Sequence, residues 1–404
     1  MSSTSYKKTK TACYMSYIVS MIVNNFAPLL YVHFQSQFSI PLDQITMIST
    51  ANFGTVILIT AISPKFIDAI GYKRSAVLAN LCDAIGLLGL VVFPRIFPSP
   101  GMGLIVAACI YGIGNGMYEV LLSPIITGCI TDMKEKDGAI NLLMSFSCWG
   151  QVLVVLITTI FFNVAGLGRW EIAAVLWAIV PITNAILFAR NPVPEPGARI
   201  KEPANLGALL KNPLFWLCMV IIMCAGSGEQ AVCQWGSTFM ETSLNLNKTV
   251  GDLAGPMSFA VFEGLVRVIY TKFGLNWDMR RAVAISAVGL TIGYLCIALS
   301  ASPILVIAGF AICGCSVSLL WPGAICLATS YIPNGSTVMF SVLALVGAFG
   351  CTVGPSIAGM VAAQFHDNVK YGILATTAFP MLCIVAILIF IKATQKNAAN
   401  GTSV

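Results

Sequence analysis

Five ionisable side chains lie inside long apolar stretches of the sequence: Asp83, Glu119, Glu229, Glu263 and Arg267. Charge is sparse overall, because Asp, Glu, Lys and Arg make up only 9% of the 404 residues. An ionised side chain in hydrocarbon is costly, so it normally faces a partner or a water-filled path. A carboxylate in such a path can accept hydrogen bonds from a polar solute and can take up a proton. These five positions are therefore the first candidates for function.

Glu119 lies in a polar stripe on an otherwise apolar, glycine-rich segment. Asn115, Glu119 and Ser123 are spaced by four residues, which places them on one face of a helix. Glycines between residues 112 and 116 let another backbone approach closely. The stripe indicates a polar path or binding face, and the alternative is a Glu that is hydrogen-bonded for packing.

A second polar face is formed by Ser227, Gln230 and Gln234, with Glu229 and Trp235 beside them. The glycines on either side of Ser227 weaken a helix, and interrupted helices are typical of transporter binding sites, so we expect a helix break there. Amides, a carboxylate and an indole suit a polyhydroxyl solute, which needs hydrogen-bond partners and an aromatic surface. The alternative is a kinked packing helix whose Gln side chains bridge its neighbours.

The other three ionisable positions can also be explained by purely structural roles. Glu263 and Arg267 are four residues apart, so they share a helical face and can neutralise each other. A purely structural ion pair is as good an interpretation as a functional one. Asp83 is expected to bond within the first half of the chain, near Asn80, and is not a site candidate.

Apolar runs of about twenty residues, the length of a bilayer-spanning helix, carry these side chains. Hydrophobic residues make up 57% of the sequence. Continuous apolar runs without alternation favour helices over a β-barrel. We predict an all-α membrane protein with twelve transmembrane helices, near residues 11–33, 44–70, 75–94, 101–130, 138–163, 170–190, 213–240, 253–274, 280–300, 303–331, 337–364 and 370–392.

The loops predict the orientation and the domains. Most of the 22 Lys and Arg residues fall on the side that carries both termini, so that side is expected to be cytoplasmic. A stretch rich in proline and charge separates six spans from six. The predicted domains are an N-terminal six-helix bundle (1–190), a cytoplasmic linker (191–211) and a C-terminal six-helix bundle (212–404). A site between the halves, near the membrane midplane, is expected.

Other function classes find little support. The 14 cysteines lie mostly inside spans without paired spacing, and His33 and His366 are too few for a metal site. No phosphate-binding or dinucleotide-binding motif is present, so we expect no cofactor, no metal and no enzymatic activity. The net charge of +6 reflects the loops, not a nucleic-acid partner. The expected partners are a small solute, protons and the lipid bilayer, for a monomer in the cell membrane.

The loop after the second span, beginning at Pro64, resembles a known signature. It follows the Gly-x-x-x-Asp-Arg-x-Gly-Arg-Lys pattern of the major facilitator superfamily, except that Pro64 and Ala69 replace the first glycine and the first arginine. The resemblance implies a cytoplasmic gating motif. Its matching residues are Asp68, Gly71, Lys73 and Arg74. The alternative is a basic loop that only sets the topology.

Within that superfamily the chain resembles the fucose-permease-like sugar:proton symporters. The resemblance rests on four segments: Gly-x-Gly followed by Glu119 and Pro124, Phe146-Ser147-Cys-Trp149-Gly150, Gly228-Glu229 followed by Trp235, and the pair Asn24-Asn25. It implies that Glu119 contacts sugar and takes part in proton coupling. The chain departs from the pattern at Pro28, where those symporters carry Asp, and at Ser147, where they carry a sugar-binding Asn.

These features predict a secondary active transporter that moves a small, sugar-like solute by alternating access and proton symport. The substrate-binding candidates are Asn25, Asn115, Glu119, Ser147, Gln151, Gln230, Gln234, Trp235, Glu263 and Arg267. The proton-coupling candidates are Glu119, Glu229 and Glu263. Three acids against one base in the functional spans favour a neutral solute with protons over an anion.

Three alternatives stay open. An acid four residues before Arg267 is similar to the eighth helix of monocarboxylate transporters, which implies an organic anion bound by Arg267 with Glu263 as the proton acceptor. A cation or drug exporter would also tolerate the acidic centre, although the fifth span lacks the Gly-Pro signature of drug antiporters. A sensor could bind the solute without moving it.

Overall fold

The computed structural model describes residues 6–130, 133–194, 206–273, 277–332 and 337–399. Within these ranges the chain is helical apart from short turns and contains no β-strand. Twelve helical segments are long and apolar enough to cross a membrane. The prediction of an all-α fold with twelve transmembrane helices is therefore confirmed.

The first of two compact units, Met1–Arg199, holds the first six spans. Its helices are α1 (Lys7–Asn25), α2 (Tyr31–Phe38), α3 (Leu42–Ile70), α4 (Tyr72–Ile96), α5 (Pro100–Gly128), α6 (Met133–Ala165) and α7 (Trp170–Arg190). The first span comprises α1 and α2, joined through a 3-10 turn at Pro28–Leu30. Helix α5 packs against α1, α3, α4 and α6, so it is the central helix of this unit.

The second unit, Ile200–Val404, holds the other six spans. Its helices are α8 (Leu206–Lys211), α9 (Pro213–Leu244), α10 (Lys248–Asp252), α11 (Ser258–Phe273), α12 (Met279–Leu299), α13 (Pro303–Tyr331), α14 (Thr337–Gln364), α15 (Val369–Thr376) and α16 (Ala378–Ala399). A π-helical turn at Leu253–Met257 joins α10 to α11 within the eighth span. Helix α9 packs against α13, α14, α15 and α16 and is central here.

Helix α7 illustrates why the helices suit a bilayer. One face carries exposed aliphatic side chains at Ile172, Val175, Leu176, Ile179, Ile182 and Ile186. The opposite face buries small and aromatic residues such as Ala174 and Trp177 inside the unit. An exposed aliphatic stripe of this length is unfavourable in water and favourable against lipid tails. The helix thus separates a lipid-facing side from a packed side.

Glycines allow the closest helix contacts in the first unit. A Cβ atom at Gly112 or Gly116 would press on backbone carbonyl groups of α3. A Cβ atom at Gly114 would overlap the Ala79 carbonyl oxygen and the Asp83 carboxyl group of α4. The glycine-rich segment of the sequence therefore serves close packing on two sides of α5.

The expected helix break in the seventh span is wrong. Helix α9 runs without interruption through both glycines that flank Ser227. Gly350 and Gly354 of α14 lie directly against the α9 backbone at Met223 and Ser227, and Ser227 Oγ donates to the Gly350 carbonyl oxygen at 3.0 Å. Small residues on both helices let the backbones approach, which accounts for the glycines without a break.

A larger side chain at Gly114 is expected to push α5 away from α4. The Ala79 carbonyl oxygen cannot rotate out of the way, and overpacking of this kind costs about 1–3 kcal/mol. Gly114→Val should therefore lower the midpoint of thermal unfolding in detergent. The matched control is Gly54→Val on α3, because nothing lies within 4 Å of a Cβ atom built at Gly54. Equal midpoints for the two variants would contradict this packing.

Candidate functional site

One interruption of a membrane helix lies in the first span, next to Asn24 and Asn25. Helix α1 ends at Asn25, and a 3-10 turn begins at Pro28. Because proline lacks an N–H group, the Asn24 carbonyl oxygen cannot receive the hydrogen bond that a continuous helix would supply. Interrupted helices at membrane depth are tolerated where they are buried in protein or line a cavity. Pro28, which departs from the symporter pattern, thus creates the interruption.

Asn24 is the centre of an amide network in the first unit. Its Oδ1 atom accepts from Asn52 Nδ2 at 2.9 Å and from Asn115 Nδ2 at 3.0 Å. Ser20 Oγ donates to Asn115 Oδ1 at 2.6 Å, so α1, α3 and α5 are linked. The Asn52 Oδ1 atom is buried and has no hydrogen-bond partner among the described residues. Sequence reasoning placed Asn115 in the site, named Asn24 only as part of the Asn24-Asn25 pair, and missed Asn52, whose only signal was an amide inside an apolar run.

Asn25, the predicted member of the pair, has a different role. Its side chain is buried, and Nδ2 donates to the Met21 carbonyl oxygen of the preceding turn at 3.0 Å. That bond is local to α1. The structure therefore places Asn24, not Asn25, in contact with the other polar helices of this unit.

Glu119 lies in the second half of α5 and is exposed. Only Met102, Glu119 and Gly128 are exposed on this helix, so α5 is not a lipid-facing element. The Glu119 carboxylate makes no hydrogen bond or ion pair with any residue that the structure describes. An exposed carboxylate on an otherwise enclosed helix faces an aqueous opening more readily than lipid. Asn115, one turn away, is 3% exposed and held by the amide network.

The fifth-span candidates lie on α6, which packs against α1. A Cβ atom at Gly150 would lie 3.1 Å from Met21 Cγ, so this part of α6 is close to the Asn24 turn. Ser147 is half-buried and Gln151 is 7% exposed, and both have partners within the protein. The fold thus brings both residues towards the first span.

The seventh-span candidates divide into two groups on α9. Glu229 and Gln230 are half-buried, and Gln230 Nε2 donates to Glu229 Oε1 at 3.1 Å. Gln234 is 2% exposed and has partners within the protein. Trp235 is fully buried, and its Nε1 donates to the Pro355 carbonyl oxygen at 2.9 Å. An indole held in this way has no face for a solute, so we correct the prediction of solute stacking on Trp235.

Glu229, Glu263 and Arg267 form one electrostatic cluster in the second unit. Arg267 Nη2 donates to Glu263 Oε1 at 2.6 Å along α11, and Glu229 of α9 acts electrostatically on both. Glu263 is 3% exposed, whereas the Arg267 side chain is 24% exposed. The predicted ion pair is therefore present but is not self-contained. Two carboxylates lie within electrostatic range of one guanidinium, and the three groups carry a formal charge of −1 when both carboxylates are ionised.

A second buried ion cluster was missed by the sequence reasoning. Lys248 Nζ donates to Asp252 Oδ1 at 2.6 Å, to Glu241 Oε1 at 3.0 Å and to Ser237 Oγ at 3.0 Å. Asp252 is fully buried. The cluster ties α10 to the end of α9, immediately before the π-helical turn that leads to Glu263. Its only sequence signal was the four-residue spacing of Lys248 and Asp252, at a span boundary.

Asp83 is buried within the first unit, as expected, but does not bond to Asn80. The Asn80 Oδ1 atom accepts from Asn184 Nδ2 at 3.0 Å, and Asn184 Nδ2 also lies 3.0 Å from Ser16 Oγ. The Asp83 carboxyl group instead lies against Gly114 and the Tyr118 hydroxyl.

The predicted gating motif spans the junction of α3 and α4. Gly71 adopts φ +83°, which favours glycine, and ends α3, while Lys73 and Arg74 are exposed at the start of α4. The side chain of Asp68 lies outside the described part of the chain. Within that part, no group of three or more His, Cys, Asp or Glu residues could hold a metal ion.

Comparisons with known sequences agree with these features. A family model described as the Major Facilitator Superfamily matches residues 13–275. An uncharacterized MFS-type transporter of Enterobacter sp. (strain 638) is 22% identical over 383 residues, which is 90% of each chain. An uncharacterized transporter of Sinorhizobium fredii is 25% identical over 166 residues, 41% of this chain and 43% of its own.

Solved structures with similar folds include transporters of different solutes. A D-xylose-proton symporter matches with a TM-score of 0.76 and 13% identity over 96% of this chain and 97% of its own. The nucleoside transporter NupG matches with a TM-score of 0.72 and 12% identity over 95% and 99%. A bacterial homologue of the human lysosomal transporter Spinster matches with a TM-score of 0.73 and 13% identity over 97% and 98%. At these identities the likeness shows the fold alone.

Proposed function

The chain belongs to the Major Facilitator Superfamily and is an integral, multi-pass membrane transporter, and from this premise we propose that it carries a small, sugar-like solute by proton symport. The observation that supports this most is Glu119, an exposed carboxylate without a partner among the described residues on a helix that is otherwise enclosed. Such a group can accept hydrogen bonds from hydroxyls and can exchange a proton with water.

The solute proposed is neutral because each unit presents negative charge. Glu119 contributes one carboxylate in the first unit, and Glu229, Glu263 and Arg267 together carry a formal charge of −1 in the second. An anion would be repelled by both, whereas hydroxyl groups can donate to carboxylates and amides. The proposed solute-binding residues of the first unit are Asn24, Asn115, Glu119, Ser147 and Gln151; those of the second are Glu229 and Gln230. Asn25 and Gln234 would support these residues from behind, and Trp235 would not contact the solute.

Protons are the proposed co-substrate. Glu119 is the proposed proton acceptor in the first unit, and Glu229 is the proposed acceptor in the second, because the guanidinium is already engaged by Glu263 at 2.6 Å. Uptake of one proton by Glu229 would bring the formal charge of the cluster of Glu229, Glu263 and Arg267 from −1 to zero. The proposed cycle is alternating access, with both termini cytoplasmic and Asp68, Gly71, Lys73 and Arg74 as the gating motif. The chain would act as a monomer and without enzymatic activity.

The second candidate is proton-coupled transport of a small organic anion. The observation that favours it is the 24% exposure of the Arg267 side chain, which leaves part of the guanidinium accessible to a carboxylate. In this scheme Glu263 is the proton acceptor, and its protonation frees Arg267. Export of a cation and solute sensing without transport are weaker candidates, because no described feature distinguishes them.

Uptake by proteoliposomes that contain the purified protein tests the proposal. The probes are radiolabelled pentoses and hexoses, monocarboxylates and a quaternary ammonium cation, each with and without an inward proton gradient. We expect accumulation of a neutral sugar that disappears when a protonophore is added. Accumulation of a monocarboxylate alone would support the second candidate. Binding without uptake, measured as a rise in the unfolding midpoint, would show a sensor.

A further inference from the structure

Asp83 is a fully buried carboxyl group that the proposed transport cycle does not use. It lies on α4 with 0% exposure, and neither carboxyl oxygen has a hydrogen-bond partner of good geometry. Within the described ranges, no Lys, Arg or His forms an ion pair with it. An ionised carboxylate buried in this way is strongly disfavoured, because no charge among the described residues compensates it.

The groups that surround Asp83 are uncharged. Tyr118 of α5 supplies the hydroxyl group beside the carboxyl group, and Ser16 of α1 is a neighbour of the same hydroxyl. Cys82 is the titratable neighbour on α4 itself. The Tyr118 hydroxyl is also buried without a partner of good geometry. A tyrosine hydroxyl offers one hydrogen bond, which does not neutralise a full charge.

One bound proton would give each of these orphaned atoms a partner. A neutral carboxyl group has one O–H donor and an oxygen that accepts. Asp83 Oδ1 and the Ala79 carbonyl oxygen crowd the same side of Gly114, so the O–H group can donate one turn back along α4. Ser16 does the same to the Ala12 carbonyl oxygen at 3.0 Å. The second carboxyl oxygen can then accept from Tyr118.

We propose that Asp83 is a proton-binding site in the core of the first unit, separate from Glu119, and that the bound proton holds α4 against α5. Without the proton, the Asp83 carboxylate and the Ala79 carbonyl oxygen, which lie side by side on α4 against Gly114, would repel each other. Water would have to enter between α4 and α5 to solvate the carboxylate, and the contact of the two helices at Gly114 would loosen. The packing of the first unit is thereby linked to occupancy by a proton, whatever solute the protein carries.

Infrared difference spectroscopy of the protein in liposomes tests the assignment directly. At neutral pH the wild type should show a carbonyl-stretch band of a neutral carboxylic acid that is lost in Asp83→Asn and kept in Glu119→Gln. Identical bands in the wild type and Asp83→Asn would overturn the proposal. Tyr118→Phe should shift this band to higher frequency without removing it, because it deletes the donor to the second oxygen. An unshifted band would contradict the hydrogen bond and hence the site.

The dependence of stability on pH is the second test. The folded protein holds a proton that the unfolded chain releases above about pH 3.9, so the stabilisation is complete below that pH and declines as pH rises. Asp83→Asn should unfold at a similar temperature and lose this part of the pH dependence. A wild-type midpoint that rises with added sodium at neutral pH, with no rise in Asp83→Asn, would assign a bound cation and reject the proton.

Discussion

Replacing Arg267 by Gln is expected to destabilise the second unit more than replacing either carboxylate near it. The substitution leaves Glu229 and Glu263 without a counter-charge in a largely buried cluster. Removing one partner of a buried pair costs about 3–5 kcal/mol, and the partial exposure of Arg267 reduces this to about 2–4 kcal/mol. Thermal unfolding in detergent should therefore show a markedly lower midpoint for Arg267→Gln at neutral pH.

A cluster of two acids and one base predicts different losses of stability for removal of an acid and removal of the base, whereas an isolated ion pair does not. Glu263→Gln removes one of two acids, and Arg267 keeps Glu229, so the loss of stability should be small. The double variant Glu263→Gln/Arg267→Gln should recover much of the stability lost in Arg267→Gln, since one carboxylate then remains instead of two. Equal destabilisation by Glu263→Gln and Arg267→Gln would show an isolated ion pair and would exclude Glu229 from it.

Arg267→Gln also separates the two candidate functions. If the solute is a neutral sugar, variants that fold should still bind it, because the guanidinium is not a required contact. If the solute is an organic anion, binding should be lost in Arg267→Gln and weakened in Arg267→Lys, which keeps the charge but not the bidentate geometry. Equilibrium binding of radiolabelled sugars and carboxylates to the purified variants measures the difference.

The sequence predicted the helices well because the bilayer imposes a length and a composition on every span. It also placed close packing at the glycines of α5, since small residues four apart, such as Gly112 and Gly116, leave room for a backbone. A break was predicted in the seventh span and is absent there. Glycine weakens a helix only where no neighbouring helix packs against it. At Gly226 and Gly228 neighbouring helices pack closely, whereas Pro28 removes a backbone donor whatever surrounds it.

The site was predicted less well because polar partners are set by tertiary contacts. Asn24 and Asn25 are adjacent in sequence, yet only Asn24 points at α3 and α5, and a shift of one residue turns a side chain by about 100° around a helix. Trp235 has the composition of a sugar-stacking residue, but the Pro355 carbonyl oxygen occupies its N–H group. Lys248 lies between the predicted spans 213–240 and 253–274, and its two carboxylate partners come from different helices, a contact that the sequence does not predict.

Glu119→Gln is expected to abolish proton-driven accumulation of the solute while leaving equilibrium exchange in place. A pH step of one unit corresponds to about 1.4 kcal/mol, so one coupled proton can drive about tenfold accumulation in the wild type. Gln keeps the size and the acceptor oxygen of Glu but cannot bind the proton. Accumulation in Glu119→Gln should therefore fall to the external concentration, whereas exchange of labelled for unlabelled solute continues, because it needs no net proton movement.

The matched control for this experiment is Glu171→Gln, which changes the same chemical group at an exposed pair with Arg95 near the end of a span. Exposed pairs contribute about 0–1 kcal/mol, so this variant should accumulate solute like the wild type. Accumulation by Glu119→Gln equal to that of Glu171→Gln would remove Glu119 from the proton path and leave Glu229 as its remaining candidate. Loss of both accumulation and exchange would mean that Glu119 binds the solute itself, since a residue needed only for the proton is dispensable when no proton crosses. The loss of accumulation compared with the loss of exchange in Glu119→Gln therefore shows how far Glu119 serves proton coupling and how far it serves solute binding.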